Sequence, residues 1–195
     1  MRPQRGDEST LSALMHNMAW LRAAEARRLS VSGVFDLNQA RQAQLGADST
    51  NHFDELIGMA ALGSLVPILR AQVLVLHGRF VEALKLLEAN IEDSMKEGLD
   101  RMLCVMLADV AWCRLKTGDV TGAQRDAQTA LSSIAAATHV DDRAMTHSRL
   151  AQICVATNEP DVAREHTMRA SAAWQVHLLQ QSHLVPALAR ALEGL

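Results

Sequence analysis

The sequence predicts an all-α array of antiparallel helical hairpins with a period of about forty residues, and three observations carry that prediction. First, a short phrase recurs: Gly78-Arg79-Phe80-Val81-Glu82-Ala83, Gly118-Asp119-Val120-Thr121-Gly122-Ala123 and Asn158-Glu159-Pro160-Asp161-Val162-Ala163 stand forty residues apart. A fixed period in the range of roughly 20–50 residues is the signature of a repeat architecture. Second, small residues keep the same register around each turn. Ala71, Ala111 and Ala151 precede it, Ala83, Ala123 and Ala163 follow it, and Ala130 and Ala170 continue the second helix, where the first copy has Asn90. Small residues on both sides of a turn let two helices approach closely. Third, apolar residues make up 49% of the chain and aromatics 3%, with Ala and Leu abundant and β-branched runs scarce, which favours helix throughout.

Taken in order, residues 1–7 hold Pro3, Gly6 and several charges and are expected to be disordered, with order setting in after residue 9. Ser9 or Thr10 caps a helix over about 10–30 that carries Leu11, Leu14, Met18, Leu21 and Ala24 on one face. Ser32-Gly33 ends it, and Asp36 caps a short helix with Gln39 completing a capping box. Gly33, Phe35 and Ala40 echo Gly78, Phe80 and Ala83 at a spacing of 45, with two extra residues before the Ala. Residues 10–47 therefore read as a degenerate first repeat at the end of an array. Gly46 to Asn51 reads as a loop, with a further helix from about His52. Pro67 lacks a donor and clashes with a preceding turn, so a break near Gly63 and a fresh helix with Pro67 in its first turn are expected; one long kinked helix over 51–77 is the alternative.

Helices are then predicted over about 65–77, 80–97, 100–116, 120–137, 142–156 and 160–179, making repeats 60–98, 99–138 and 139–179. Phe80, Leu84, Leu87, Ile91 and Met95 form an inward stripe, with Glu82, Lys85, Glu92 and Lys96 outside; Ala123, Ala127, Ala130, Leu131 and Ile134 form the next. Residues 102–115 are apolar almost all round, broken chiefly by Asp109 and Arg114, which marks the middle of the stack. Leu184-Val185-Pro186 echoes Leu65-Val66-Pro67, so a separate last helix, about 182–193 within 181–194, is expected to cap the array.

The small residue, the Gly-containing turn, the Ala of the second helix and the later small residue together resemble tetratricopeptide (TPR) repeats over roughly residues 60–178. The chain departs from that family in having no Tyr and in a period longer than the usual 34 or so residues. It looks most like the long-repeat, MalT-like variety of the sensory regions of large bacterial transcription activators. The resemblance implies a TPR-like α-solenoid whose first helices line a concave groove. It also implies a regulatory or sensory part of a transcription regulator, although these 195 residues hold no DNA-binding motif.

Composition excludes several classes. The net charge of −3 comes from interspersed acids and bases, without the Lys/Arg clustering of a nucleic-acid surface. Cys104, Cys113 and Cys154 all fall in apolar helical runs and read as reduced core thiols. No apolar run approaches the ~20 residues of a membrane span, and the N-terminus lacks a secretion signal, so a cytoplasmic protein is expected. The densest histidine cluster is His139, Asp141, Asp142 and His147, but the two acids are more simply helix caps and no second group completes a metal site. His166 and His177, three turns apart, share a face but not a ligand shell. Gly118 and Gly122 lie in a repeat turn without the Lys-Ser/Thr of a phosphate loop. No catalytic group, cofactor or metal is expected.

Carrying the repeat register along the chain, Trp20, Arg27, Ile68, Gln72, Val75, Trp112, Lys116, Met145 and Gln152 should face the concave groove. Tryptophan is uncommon on ordinary surface and enriched where partners bind, although both residues also suit gaps between hairpins. The reading is a non-catalytic module that holds a peptide or helix of a partner protein, with apolar side chains against Trp112 and charge selection by Lys116 and Arg27. The alternative is a small-ligand sensor with a pocket enclosed by the superhelix, and a homodimer through an end helix is left open.

Overall fold

The computed structural model describes residues 5–34, 36–58 and 63–193. Among them run eight α-helices and no strand: α1 (Arg5–Val31), α2 (Leu37–Ile57), α3 (Leu65–Leu76), α4 (Phe80–Lys96), α5 (Leu103–Lys116), α6 (Val120–Ser132), α7 (Val140–Ala156) and α8 (Pro160–Glu193). A 3-10 turn, Asp100–Met102, leads into α5.

The recurring phrase builds the same turn three times. After α3, α5 and α7 comes a residue in the left-handed conformation: Gly78 (φ 72°), Gly118 (φ 94°) and Asn158 (φ 61°). The following amide reaches back five residues, from Arg79 to Leu74 O (2.9 Å), Asp119 to Arg114 O (2.9 Å) and Glu159 to Cys154 O (2.8 Å). Glycine takes this backbone without a Cβ penalty and asparagine tolerates it, so Asn158 substitutes for glycine in the third copy. Each next helix starts within a few residues and returns along its predecessor, so the consecutive pairs α1/α2, α3/α4, α5/α6 and α7/α8 make the most extensive contacts. The small residues occupy those seams: Ala71, Ala83, Ala111 and Ala123 are fully buried, and Ala151 and Ala163 nearly so. Gly122 leaves room for the cap of α6. Asp119 Oδ1 accepts from its N–H at 2.9 Å, and a Cβ there would overlap Asp119 Oδ2.

Helix α5 is the middle of the assembly, packed against α4, α6 and α7. Leu87 of α4, Met102 of the 3-10 turn and Val105 and Met106 of α5 join one core with Ala19 and Ala23 of α1, Leu69 of α3 and Met145 of α7. The Cys104 and Cys113 thiols are buried and free, and burial pushes Cys113 up to about 12; Cys154, also free, is half-buried.

Several elements differ from the sequence reading. Helix α1 begins at Arg5, ahead of the Ser9/Thr10 cap, so of the terminal stretch only residues 1–4 lie outside the described residues. Its stripe of Leu11, Leu14, Met18 and Leu21 faces solvent, 44–65% exposed, whereas Ser12, His16, Ala19, Ala23, Ala26 and Arg27 are buried. The seam between α1 and α2 is made of small residues, Ala19 and Ala23 against Ala43 and Ala47, which lets the two axes close where leucines would hold them apart. Gly46 belongs to that seam rather than to a loop. A Cβ on it would lie 3.5 Å from Ala19 Cα, and α2 runs through 46–51 unbroken. Asp54 adds a buried polar clasp, accepting from Ser12 Oγ at 2.6 Å and meeting His16 Nε2 at 2.7 Å.

Asp36 caps α2, but Gln39 Oε1 is buried without a partner among the described residues, so the reciprocal half of the capping box is not seen there. Helix α2 ends at Gly58 (φ 64°) and α3 starts at Leu65 with Pro67 in its first turn, so this stretch is two helices rather than one kinked helix. Phe35 and residues 59–62 lie outside the described residues. Helix α6 stops at Ser132, short of 137. Helix α8 is one helix of 34 residues that includes Pro186, not two. Residues 161–193 contain no glycine or asparagine to stop it, so the echo of Leu65-Val66-Pro67 does not make a boundary.

Candidate functional site

The nine residues expected to line a groove separate into buried and open sets. Ile68, Gln72 and Val75 of α3 are 0–6% exposed and face no partner. Ile68 belongs to the core with Ala19 and Ala23 of α1, and Val75 packs with Ala83 and Cys113. Arg27 and Met145 are also buried, at 3% and 4%. The physical reason is the course of α1, which packs on α3 and α7 as well as on α2 and so closes the inner face at that end.

An ion triad pins it there. Arg27 Nη2 of α1 lies 2.5 Å from Asp109 Oδ2 of α5, and Arg149 Nε of α7 donates to the other oxygen, Oδ1, at 3.2 Å. All three side chains are excluded from water. Burial pulls the Arg149 guanidinium below its ordinary value; Asp109 counters that and Arg27 adds to it. Arg149 also donates through Nη1 to Gln152 Oε1 at 2.7 Å. One carboxylate thus joins three helices that are 40 and 82 residues apart in sequence.

Two recesses open on either side of Trp174, and a third, of about 520 Å³, lies apart from them between α2, α3 and α4. The larger, a cavity of about 590 Å³, lies between the end of α1 (Val31), α5 (Trp112, Lys116), α7 (Ala151, Gln152, Val155) and α8 (Thr167, Ser171, Trp174). Lys116 Nζ and Arg149 Cζ lie over the Trp112 ring, 4.4 Å and 5.1 Å from its centroid. Trp174 is fixed by its indole N–H, which donates to Ser148 Oγ at 3.0 Å. Lys116 is the only ionisable residue of this recess, so its charge is cationic.

The smaller recess, about 380 Å³, lies between α1, the start of α7 and α8. Trp20, Arg27 and Met145 from the expected set stand in its wall, joined by Trp174, Asp141, Asp142 and the pair Glu25–Arg28. Arg28 grips Glu25 through Nε (2.8 Å) and Nη2 (2.7 Å), which holds the Glu25 carboxyl below its usual range and raises Arg28. Asp142 is pushed up to about 7 by burial and by Asp141, against the pull of Arg27 and Arg101.

The histidine cluster divides. One ligand atom each of His139, Asp141 and Asp142 falls within 4.8 Å of the others. Arg101 Nη1 sits against both His139 ring nitrogens, at 2.8 and 3.1 Å, so a cation already occupies that face. His147 turns instead to His166, their Nδ1 atoms 3.0 Å apart. Burial holds both rings below the ordinary histidine value, His147 at about 4, with His166 lowering it further.

Sequence reasoning missed Trp174, which lines both recesses, and the partners of Asp109. The signal for the second was present, since Asp109 interrupts an otherwise apolar helix and a buried acid requires a counter-charge. No family model matches this chain, and no curated protein and no solved structure matches it either. No helix among the described residues is long and apolar enough to cross a membrane.

Proposed function

We propose that this chain is a TPR-like, non-catalytic interaction module acting in the cytoplasm. It binds a short segment of a partner protein in the recess between α5, α7 and α8. On the long-repeat resemblance, that binding serves regulation. The observation that carries the reading is the recess itself: two fixed indoles, Trp112 and Trp174, flank an open floor of small residues with one unmatched cation, Lys116, at the rim. An apolar side chain of the partner fills the space between the indoles, and an acidic residue nearby meets Lys116. The groove is shorter than the nine-residue lining expected from the repeat register, because the triad closes its other end.

Peptide display on the whole chain tests this. Selected peptides should share a bulky apolar residue beside an acidic one. Val155, 69% exposed at the rim, offers a variant that leaves the core intact. Val155→Glu and Lys116→Glu should each lower affinity, the latter in a salt-dependent way, and Trp112→Ala should cost at least about 2 kcal/mol, about thirtyfold. Peptides that bind all three variants as they bind the parent chain would refute the assignment.

A further inference from the structure

The second recess has a different chemistry. Asp142, in the first turn of α7, is only 6% exposed, and its carboxylate has no hydrogen-bond or ion-pair partner among the described residues although it lines the recess. A carboxylate held this far from water without a donor is costly, and Arg27 and Arg101 relieve it only through their field, without a bond to it. The basic groups around it are turned to other partners: Arg27 to Asp109, Arg28 to Glu25 and Arg101 to the His139 ring. Asp141 and Asp142 are the carboxylates of the recess left without a bonded partner among the described residues. Trp20 and Trp174 line the same recess, and Trp174 also meets the His177 ring edge to face, with centroids 5.7 Å apart; an indole π face attracts a cation. The cavity, about 380 Å³, is of small-molecule size.

We propose that this recess binds a small organic cation, a primary ammonium on an aromatic or apolar body. Its N–H groups donate to Asp142 and Asp141, and its body lies against Trp20 and Trp174. The ammonium supplies both the donor and the opposite charge that Asp142 lacks. A bare metal ion fits less well, because its third ligand would be His139, where the Arg101 guanidinium already sits, and because it would leave the indoles without a role. The site is separate from the peptide recess, although Trp174 stands in both walls.

Calorimetric titration of the full chain with 2-phenylethylamine is expected to show one saturable site at millimolar concentration or below, and phenylacetate, of the same size and opposite charge, none. Asp142→Asn keeps the shape and removes the charge, and should weaken the amine at least about tenfold while helical dichroism is unchanged. Trp20→Leu, which alters a wall and leaves the carboxylates in place, should weaken it as well. Any of three results overturns the proposal: no heat with the amine, equal binding of phenylacetate, or unchanged amine affinity in either variant.

Discussion

Asp109→Asn is the most informative single change, because one carboxylate is the shared counter-charge of two buried guanidiniums. The substitution keeps the volume and leaves Arg27 and Arg149 facing each other at 3% exposure with no counter-charge. Removing one partner of a buried ion pair costs about 3–5 kcal/mol. Two pairs depend on Asp109, so about 5 kcal/mol is expected. A domain typically has about 5–15 kcal/mol in total, so this is a third of it or more. For a chain of 195 residues it corresponds to a Tm lower by roughly 10–20 °C. Urea unfolding followed by far-ultraviolet dichroism measures it, with an unchanged slope showing that the compactness of both states is preserved. The triple change Arg27→Met, Asp109→Leu and Arg149→Met should regain most of the loss, since it removes the desolvation of all three charges together. A cost below about 1 kcal/mol for Asp109→Asn would mean that water reaches the triad and that α1 is not pinned across α5 and α7.

Two further tests concern the recess and the repeat. The Asp142 carboxyl is raised from 3.8 to about 7 by burial and by Asp141, with Arg27 and Arg101 opposing; Glu25, Arg28, His139 and His177 complete the charged and titratable groups around it. A raised carboxyl contributes stability that is whole below the unfolded value and is lost as pH climbs through the folded one. Asp142→Asn cannot ionise, so it should match the parent near pH 4 and exceed its stability by up to about 4 kcal/mol near pH 8; urea midpoints with the same pH profile for both proteins would refute this. Ala123→Leu, in the fully buried seam between α5 and α6, should overfill it at a cost of about 1–3 kcal/mol, whereas Gln128→Leu on the exposed face should stay within about 0.5 kcal/mol. Equal shifts in Tm at the two positions would show the register to be wrong.

What the sequence determined by itself was local. The turns at Gly33, Gly78, Gly118 and Asn158, the alanines beside them and the fresh start before Pro67 all follow from backbone conformation and side-chain size within a few residues. The inward stripe of α4 follows from helical spacing, because a single strong apolar face has one way to be buried. Helix α1 offered two faces, leucines on one and alanines with Ser12, His16 and Arg27 on the other. The choice rested on α2, whose own small face demanded a close partner. The length of α8 was likewise undecidable from an echoed tripeptide, since a helix ends where its carbonyls find other partners and not where a motif repeats. The site depended on tertiary structure most of all. Whether Ile68, Gln72 and Val75 face a groove or a core depends on an ion pair between residues 82 apart, and such a pair forms only after α1, α5 and α7 have excluded water together.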